Sequence, residues 1–216
     1  MGSTKVSRKR APTEPVRRTQ ADRRATTRKA LLDATVLSLR ELGYAKTTTT
    51  EITARAGVSQ GALFKHFASK EALLSAAAEA LCASLFPRFR ASMRAARGAT
   101  DPVARALLGL WTIFKTDEVR VLHELYTAAP TEPALRAALL PILATHRTNI
   151  QDEARSLFPD LAALPNFEAA VDFVITAMQG AALVLFAGQD PARERAFLEG
   201  LALLVRSAPL LLQPVS

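Results

Sequence analysis

The chain has 216 residues, is dominated by alanine and leucine, and carries a formal net charge of +8, long enough to bury a sizeable core in one large or two small domains. Alternating β-branched runs and glycine-rich turns are scarce, which excludes a sheet protein and implies an all-α fold. A single cysteine, Cys82, excludes an intramolecular disulfide framework and suits a reducing cytoplasm. The N-terminus has no apolar signal-peptide core. No run is long and uncharged enough for a convincing membrane span, the nearest, residues 173–188, being interrupted by Gln179. A soluble, cytoplasmic protein is expected.

The distribution of charge says more than its total. Residues 1–70 hold 15 Lys and Arg against 5 Asp and Glu, whereas residues 71–216 hold 13 against 15. The whole basic excess therefore lies in the first third of the chain. That is the footprint of a polyanion-binding domain joined to a near-neutral one.

In chain order, residues 1–20 are polar, proline-interrupted and basic, with six Lys and Arg against one Glu, and are expected as a mobile arm. Such an arm either touches phosphates or the minor groove, or is a solvated tail. A helix is predicted over residues 21–42. Leu32, Val36, Leu39 and Leu42 form its apolar face, and Gly43 stops it. Arg23, Arg24 and Arg28 near its start are candidates to flank DNA.

The stretch from Thr47 to Lys70, TTTTEITARAGVSQGALFKHFASK, organises the rest. Thr48 and Glu51 stand at capping-box spacing, so a short helix begins near Thr49 with Ile52 and Ala56 inward. Gly57 ends it and Val58 plugs the turn. Ser59 caps a second helix over residues 60–67, whose Leu63 and Phe67 face the core. Ser69 caps a third. This is the grammar of a helix-turn-helix, whose second helix enters the DNA major groove.

Extended back through RELGY and forward to EALL, the pattern resembles the N-terminal domain of the TetR family of bacterial transcriptional regulators, over roughly residues 24–74. The resemblance implies a role for each matching position. Thr49 is the helix-start threonine that contacts a phosphate. Ser59 and Gln60 open the recognition helix, where backbone N–H groups favour phosphate, and Gln60 could instead reach an adenine edge. Gly61 permits close approach to DNA, or serves helix packing. Lys65 reaches guanine or phosphate, and His66 and Lys70 clamp the backbone. Phe64 departs from the family's usual tyrosine: a phosphate hydrogen bond is lost and an apolar contact, such as one with a thymine methyl, is left.

Past Lys70 a long helix is expected to run to Arg97, kinked or broken at Pro87, because an internal proline removes one hydrogen bond and clashes with the preceding turn at a cost of ~3 kcal/mol. Helices follow over residues 103–115, 119–128 and 133–158, the last bent at Pro141. Residues 159–165 form a loop, and apolar helices close the chain at 167–187 and 192–212. The domain division is then an arm at 1–20, a three-helix DNA-binding domain at 21–70, and a larger helical effector-binding and dimerisation domain at 71–216.

One such DNA-binding domain has a small footprint, so a homodimer reading a palindromic operator is expected. Ala177, Gly180, Ala181 and Val184 on the first terminal helix, with Phe197, Leu201 and Leu204 on the second, could pair with a second copy, or could fill the chain's own core. The family couples DNA release to a small molecule in the larger domain. Trp111, Phe114, His123, Tyr126, Phe173 and Met178 are candidates to line that pocket, and each is equally readable as core packing. No cofactor and no metal are implied: His123 and His146 lie far apart in sequence with no ligand pattern around them. An all-helical enzyme has no support, there being no H-E-x-x-H, CxxC, phosphate-cradling loop or G-x-S-x-G. The large near-neutral second domain argues against a purely architectural DNA-binding protein. A ligand-responsive regulator, most simply a repressor, is the expectation.

Overall fold

The computed structural model describes residues 19–185 and 190–211. Among these the fold is all-α: ten helices and no strand. Most of the expected basic arm (residues 1–18) and the ends expected for the last two helices (186–187 and 212) lie outside the described residues.

Helix α1 (Gln20–Lys46) opens on a reciprocal cap, in which the Asp22 amide donates to Thr19 Oγ1 at 3.1 Å and the Thr19 amide donates back to Asp22 at 2.9 Å. Its buried stripe is Leu31, Ala34, Thr35, Ser38 and Leu39; of the predicted face Leu39 is buried, while Leu32, Val36 and Leu42 are only half-buried. Hydroxyl residues can occupy that stripe because a helical Thr can satisfy itself: Thr35 Oγ1 donates to the Leu31 carbonyl at 2.7 Å. Gly43 does not end the helical path but interrupts it, at φ 74°.

Helices α2 (Thr49–Ala56) and α3 (Gln60–His66) follow, separated by Gly57 at φ 67°, a left-handed cap that glycine adopts without steric cost. Helix α4 (Lys70–Arg97) is next, then α5 (Pro102–Phe114), α6 (Asp117–Ala128), α7 (Pro133–Leu157), α8 (Pro159–Ala162), α9 (Phe167–Leu185) and α10 (Pro191–Leu211). The break expected at Pro87 is absent: α4 continues as one helix. Both Pro87 and Ala83, whose carbonyl loses its donor, are exposed, so water can satisfy that carbonyl. Exposed Pro141 likewise lies inside a continuous α7. The segment expected as a loop after Phe158 contains the single turn α8.

Two hydrophobic clusters result. Leu31, Ala34, Ile52, Leu63, Phe67 and Leu73 close the N-terminal one. The larger runs from Leu39 and Leu74 down α4 and through α5, α6 and α7 to Met178 and Leu201. Adjacent residues of α4, Leu73 and Leu74, thus belong to different cores, and both α1 and α4 tie the two together. Full burial of a leucine such as Leu63 stabilises by about 1.5–3 kcal/mol.

Candidate functional site

The surface of α3 is divided by its 3.6-residue period. Leu63 and Phe67 are buried, while Gln60, Gly61, Phe64 and Lys65 form one exposed stripe with Phe64 51% exposed. Ser59 Oγ caps the helix by accepting from the Ala62 amide at 3.1 Å. Gln60 is oriented by its neighbour helix: Nε2 donates to Thr50 Oγ1 at 2.8 Å, leaving its second N–H and its carbonyl oxygen for other partners. A β-carbon built at Gly61 would meet only Ser59 Oγ, at 3.9 Å, so internal packing does not demand glycine there. Thr49 begins α2 half-buried, with its carbonyl accepting from Thr53 Oγ1 at 2.9 Å. His66 is half-buried at the end of α3. Lys70 starts α4 with its ammonium 4.7 Å from the centre of the Tyr44 ring.

Charge pairing leaves this face positive. Arg55 bridges α2 to α1 by bonding Glu51 at 2.5 Å and Glu41 at 2.6 Å, Asp33 pairs with Lys29, and Asp22 is held by the Thr19 cap. The described carboxylates of this domain are therefore engaged, whereas Lys65, Arg23, Arg24 and Lys46 form no ion pair among the described residues. Arg28 lies over the Phe67 ring at 5.0 Å, beside the end of α3.

Among the several hollows of the larger domain, two stand back to back. One, of about 420 Å³, is bounded by α4, α5, α7, α8, α9 and α10, and among the described residues no charged side chain lines it. The other, of about 70 Å³, is lined by Phe114, His123, Tyr126, His146 and Gln179 among apolar residues. Phe89, Leu110, Ile150 and Ile175 border both. His123 is only 6% exposed, and its Nε2 has no hydrogen-bond partner among the described residues. Burial holds the imidazoles of both His123 and His146 below the usual histidine range and raises the Tyr126 phenol, so these groups are neutral at pH 7.

Of the six expected pocket residues, Phe114, His123 and Tyr126 meet in the smaller cavity, and Phe173, 57% exposed, edges the larger one. Met178 lines neither, and Trp111, with Phe114 and His123, instead borders a third, more open hollow of about 730 Å³ rimmed by Lys115, Asp117, Arg120, Glu124 and Glu194. The Trp111 indole N–H donates to Glu194 at 2.9 Å and its ring packs on Phe197, which commits it to the junction of α5 and α10; Met178 is fully buried core. Sequence reasoning missed His146 and Gln179. The signal for His146 was its place four residues before Ile150 and four after Ile142 on the apolar side of α7. Three charged residues that a ligand could use, Glu124, Asp172 and Arg120, are already engaged. Glu124 accepts from the Tyr44 amide at 3.0 Å, Asp172 pairs with Arg147, and Arg120 pairs with Asp117 at 2.9 Å. The buried thiol of Cys82 is pushed up to about 11 by burial, so it is protonated and unreactive at neutral pH.

The Glu124 contact links the two regions. It grips the backbone immediately after Gly43, while the preceding residue on the same helix, His123, lines the cavity. Helix α6 thus touches the cavity on one side and the entrance to the helix-turn-helix on the other.

The terminal helices carry the largest apolar exposure. Leu183, Val184, Leu203 and Leu204 are 50–63% exposed. Helix α4 and residues 167–184 of α9 are each apolar and long enough to cross a membrane by length and composition alone; α4 is the central core helix, and the α9 segment is 11% buried. Of the seven residues expected at a dimer interface, Val184, Gly180 and Leu204 are exposed, Ala177 and Ala181 half-buried. Phe197 packs on Trp111, and Leu201 is 4% exposed in the chain's own core. Their side of α10 faces inward because Trp111 and Glu194 draw it onto α5.

Residues 31–77 match the model of the bacterial regulatory proteins of the TetR family. An uncharacterized HTH-type transcriptional regulator of Mycobacterium tuberculosis is 37% identical over 172 residues, spanning 77% of this chain and 86% of that protein. The HTH-type transcriptional regulator CymR of Pseudomonas putida is 33% identical over 64% of this chain and 68% of its own length. Among solved structures, the multidrug binding protein EbrR complexed with ethidium superposes with a TM-score of 0.65 at 22% identity, covering 82% of this chain and 98% of that one. A transcriptional regulator of a Rhodococcus species gives 0.64 at 22% identity over 88% and 99%; at these identities the likeness is one of fold. The chain therefore belongs to the TetR family of bacterial regulatory proteins, as a DNA-binding transcriptional regulator and not an enzyme.

Proposed function

We propose that this regulator binds a palindromic operator as a homodimer, represses from it, and leaves it when a small molecule occupies the cavities of the larger domain. The observation that carries the reading is the double contact of α6, which lines the smaller cavity with His123 and holds the Tyr44 amide with Glu124. A ligand that displaces α6 acts directly on the hinge at Gly43 and, through α1 and α4, on the angle of α3. It can do so only to the extent that it binds the DNA-incompetent form better, and DNA must weaken ligand binding by the same factor.

The DNA contacts proposed are Thr49, Ser59, Gln60, Gly61, Phe64, Lys65, His66 and Lys70, supported by the exposed stripe of α3 and the unpaired charge beside it. The arm at residues 1–20, the helix-turn-helix domain at 21–70 and the effector and dimerisation domain at 71–216 are the functional units. The dimer contact proposed is the exposed apolar side of α9 and α10, with Leu183 and Leu203 added to Val184 and Leu204.

Selection of bound sequences from random oligonucleotides tests this reading: a two-fold symmetric site is expected, and an asymmetric one sinks it. Lys70→Ala is expected to weaken all sequences alike and to lower the salt slope by about 1; an unchanged slope removes Lys70 from the phosphate contacts. Val184→Arg with Leu203→Arg is expected to give a monomer in light scattering that no longer holds the operator.

A further inference from the structure

We infer that the ligand of the paired cavities is an uncharged, largely hydrocarbon molecule with one hydroxyl head group, the head hydrogen-bonded to His123 Nε2 and the body filling the apolar cavity beyond Phe89 and Ile175. This rests on the effector reading above and narrows it to a chemical class.

Three observations converge. The 420 Å³ cavity has walls from Phe, Leu, Ile, Val, Ala and Met, with Asn166 the one polar side chain among them, so it offers a hydrocarbon body an apolar lining but gives a charge no partner. Moving an ion into such a site without a counter-charge costs several kcal/mol. The charges of the open hollow that His123 also borders are engaged with one another or with the backbone, Lys115 on Glu194, Arg120 on Asp117 and Glu124 on the Tyr44 amide, and Asp172 is held by Arg147. Finally, the smaller cavity collects the polar atoms. Of these, His123 Nε2 is buried and has no hydrogen-bond partner among the described residues, and leaving such an atom unsatisfied is unfavourable.

A hydroxyl suits that atom better than other head groups. A neutral imidazole carries its proton on one nitrogen, so Nε2 is either a donor or an acceptor, and a hydroxyl answers both. The two cavities share the Phe89, Leu110, Ile150 and Ile175 side chains as a common wall, so a rotamer change in that wall lets one molecule reach from the apolar space to His123. Phe173 and Leu204, exposed in the single chain, edge the larger cavity. A second copy seated there would close its open side.

The test uses the full-length protein and four probes with one hydrocarbon body: para-pentylphenol, pentylbenzene, para-pentylbenzoate and para-pentylbenzylamine, the last two charged at pH 7. Titration calorimetry without DNA is expected to show the phenol bound about tenfold more tightly than pentylbenzene, the worth of one hydrogen bond to an unsatisfied buried group, with both charged probes weaker than either. His123→Leu, which keeps an apolar side chain of similar size, is expected to erase the difference between phenol and pentylbenzene while retaining pentylbenzene. Tighter binding of either charged probe, no binding of any probe at millimolar concentration, or a phenol preference that survives His123→Leu would each overturn the inference. The wild-type series decides the question even if the variant fails to fold. Operator binding is measured separately: the expected selectivity without release from DNA leaves the ligand chemistry standing and removes the effector role.

Discussion

The helix-turn-helix region and the terminal helices are built on opposite terms. Around α2 and α3 each turn has its cap. Thr48 receives the Glu51 amide, Ser59 that of Ala62 and Ser69 that of Ala72, and the core beneath contains fully buried Ile52 and Leu63. Around α9 the helix is long and apolar, yet apart from buried Met178 many of its side chains edge a 420 Å³ cavity or stand in solvent. The first region is complete as a single chain and presents charge outward. The second reads as unfinished, with space for a ligand and a face for another copy. The difference teaches where rigidity is needed, since reading a DNA groove requires fixed side chains and responding to a ligand requires a packing that can change.

Deleting side-chain volume in the two regions puts this contrast at risk. Leu63→Ala is expected to destabilise by about 2–5 kcal/mol in urea unfolding and to abolish operator binding, because the small core cannot collapse into the void. A loss well below 1 kcal/mol would mean that the N-terminal core is not tightly packed. Glu124→Ala, which leaves the Tyr44 amide without its acceptor, is expected to cost about 1–3 kcal/mol and to shrink the effect of ligand on operator affinity. Unchanged coupling would remove α6 from the route. Adding volume is expected to act in the other direction in the second region: Ala170→Leu, on the cavity wall, should stabilise by about 0.5–2 kcal/mol while weakening ligand binding.

How much of this could be read in the chain differs between the same two regions. The helix-turn-helix was legible because its signals are local: Thr48 three residues before Glu51, Gly57 at the left-handed turn, Ser59 and Ser69 as caps. The stripe of α1 was misread in part because Leu32 and Val36 are more apolar than Thr35 and Ser38, although the hydroxyl residues are the buried ones. Pro87 suggested a kink or a break, and the break is absent because the exposed side of α4 accommodates the lost hydrogen bond. The cavity was least legible. His123 and His146 meet only because α6 and α7 both pack on α4, which runs of alanine and leucine do not specify, and the inward turn of Phe197 depends on Trp111 and Glu194, more than 80 positions apart.

The smallest expected effect is one of acidity. Two imidazoles held by burial below the reference value of 6.5 bind protons more readily in the unfolded chain. Stability is therefore full above pH 6.5 and declines as pH falls through and below it, since the unfolded state takes up protons first. Melting temperature followed from pH 7 to just below 6 should fall, and His123→Leu should flatten the curve; an equal slope in the variant would place the titration elsewhere.

Trp111 is the sole tryptophan in the chain, 2% exposed, with its indole N–H on Glu194 and the Lys115 ammonium 5.7 Å from its ring centre. Glu194 is held below the usual carboxylate range by its bonds to Trp111 and Lys115, so the anion beside the indole persists into mild acid. The molecule thereby carries its one indole fluorophore, which can be excited apart from the two tyrosines, at the seam between α5 and α10. Its emission wavelength is a label-free gauge of that seam, shifting to the red if the helices part and staying fixed if a ligand moves only α6.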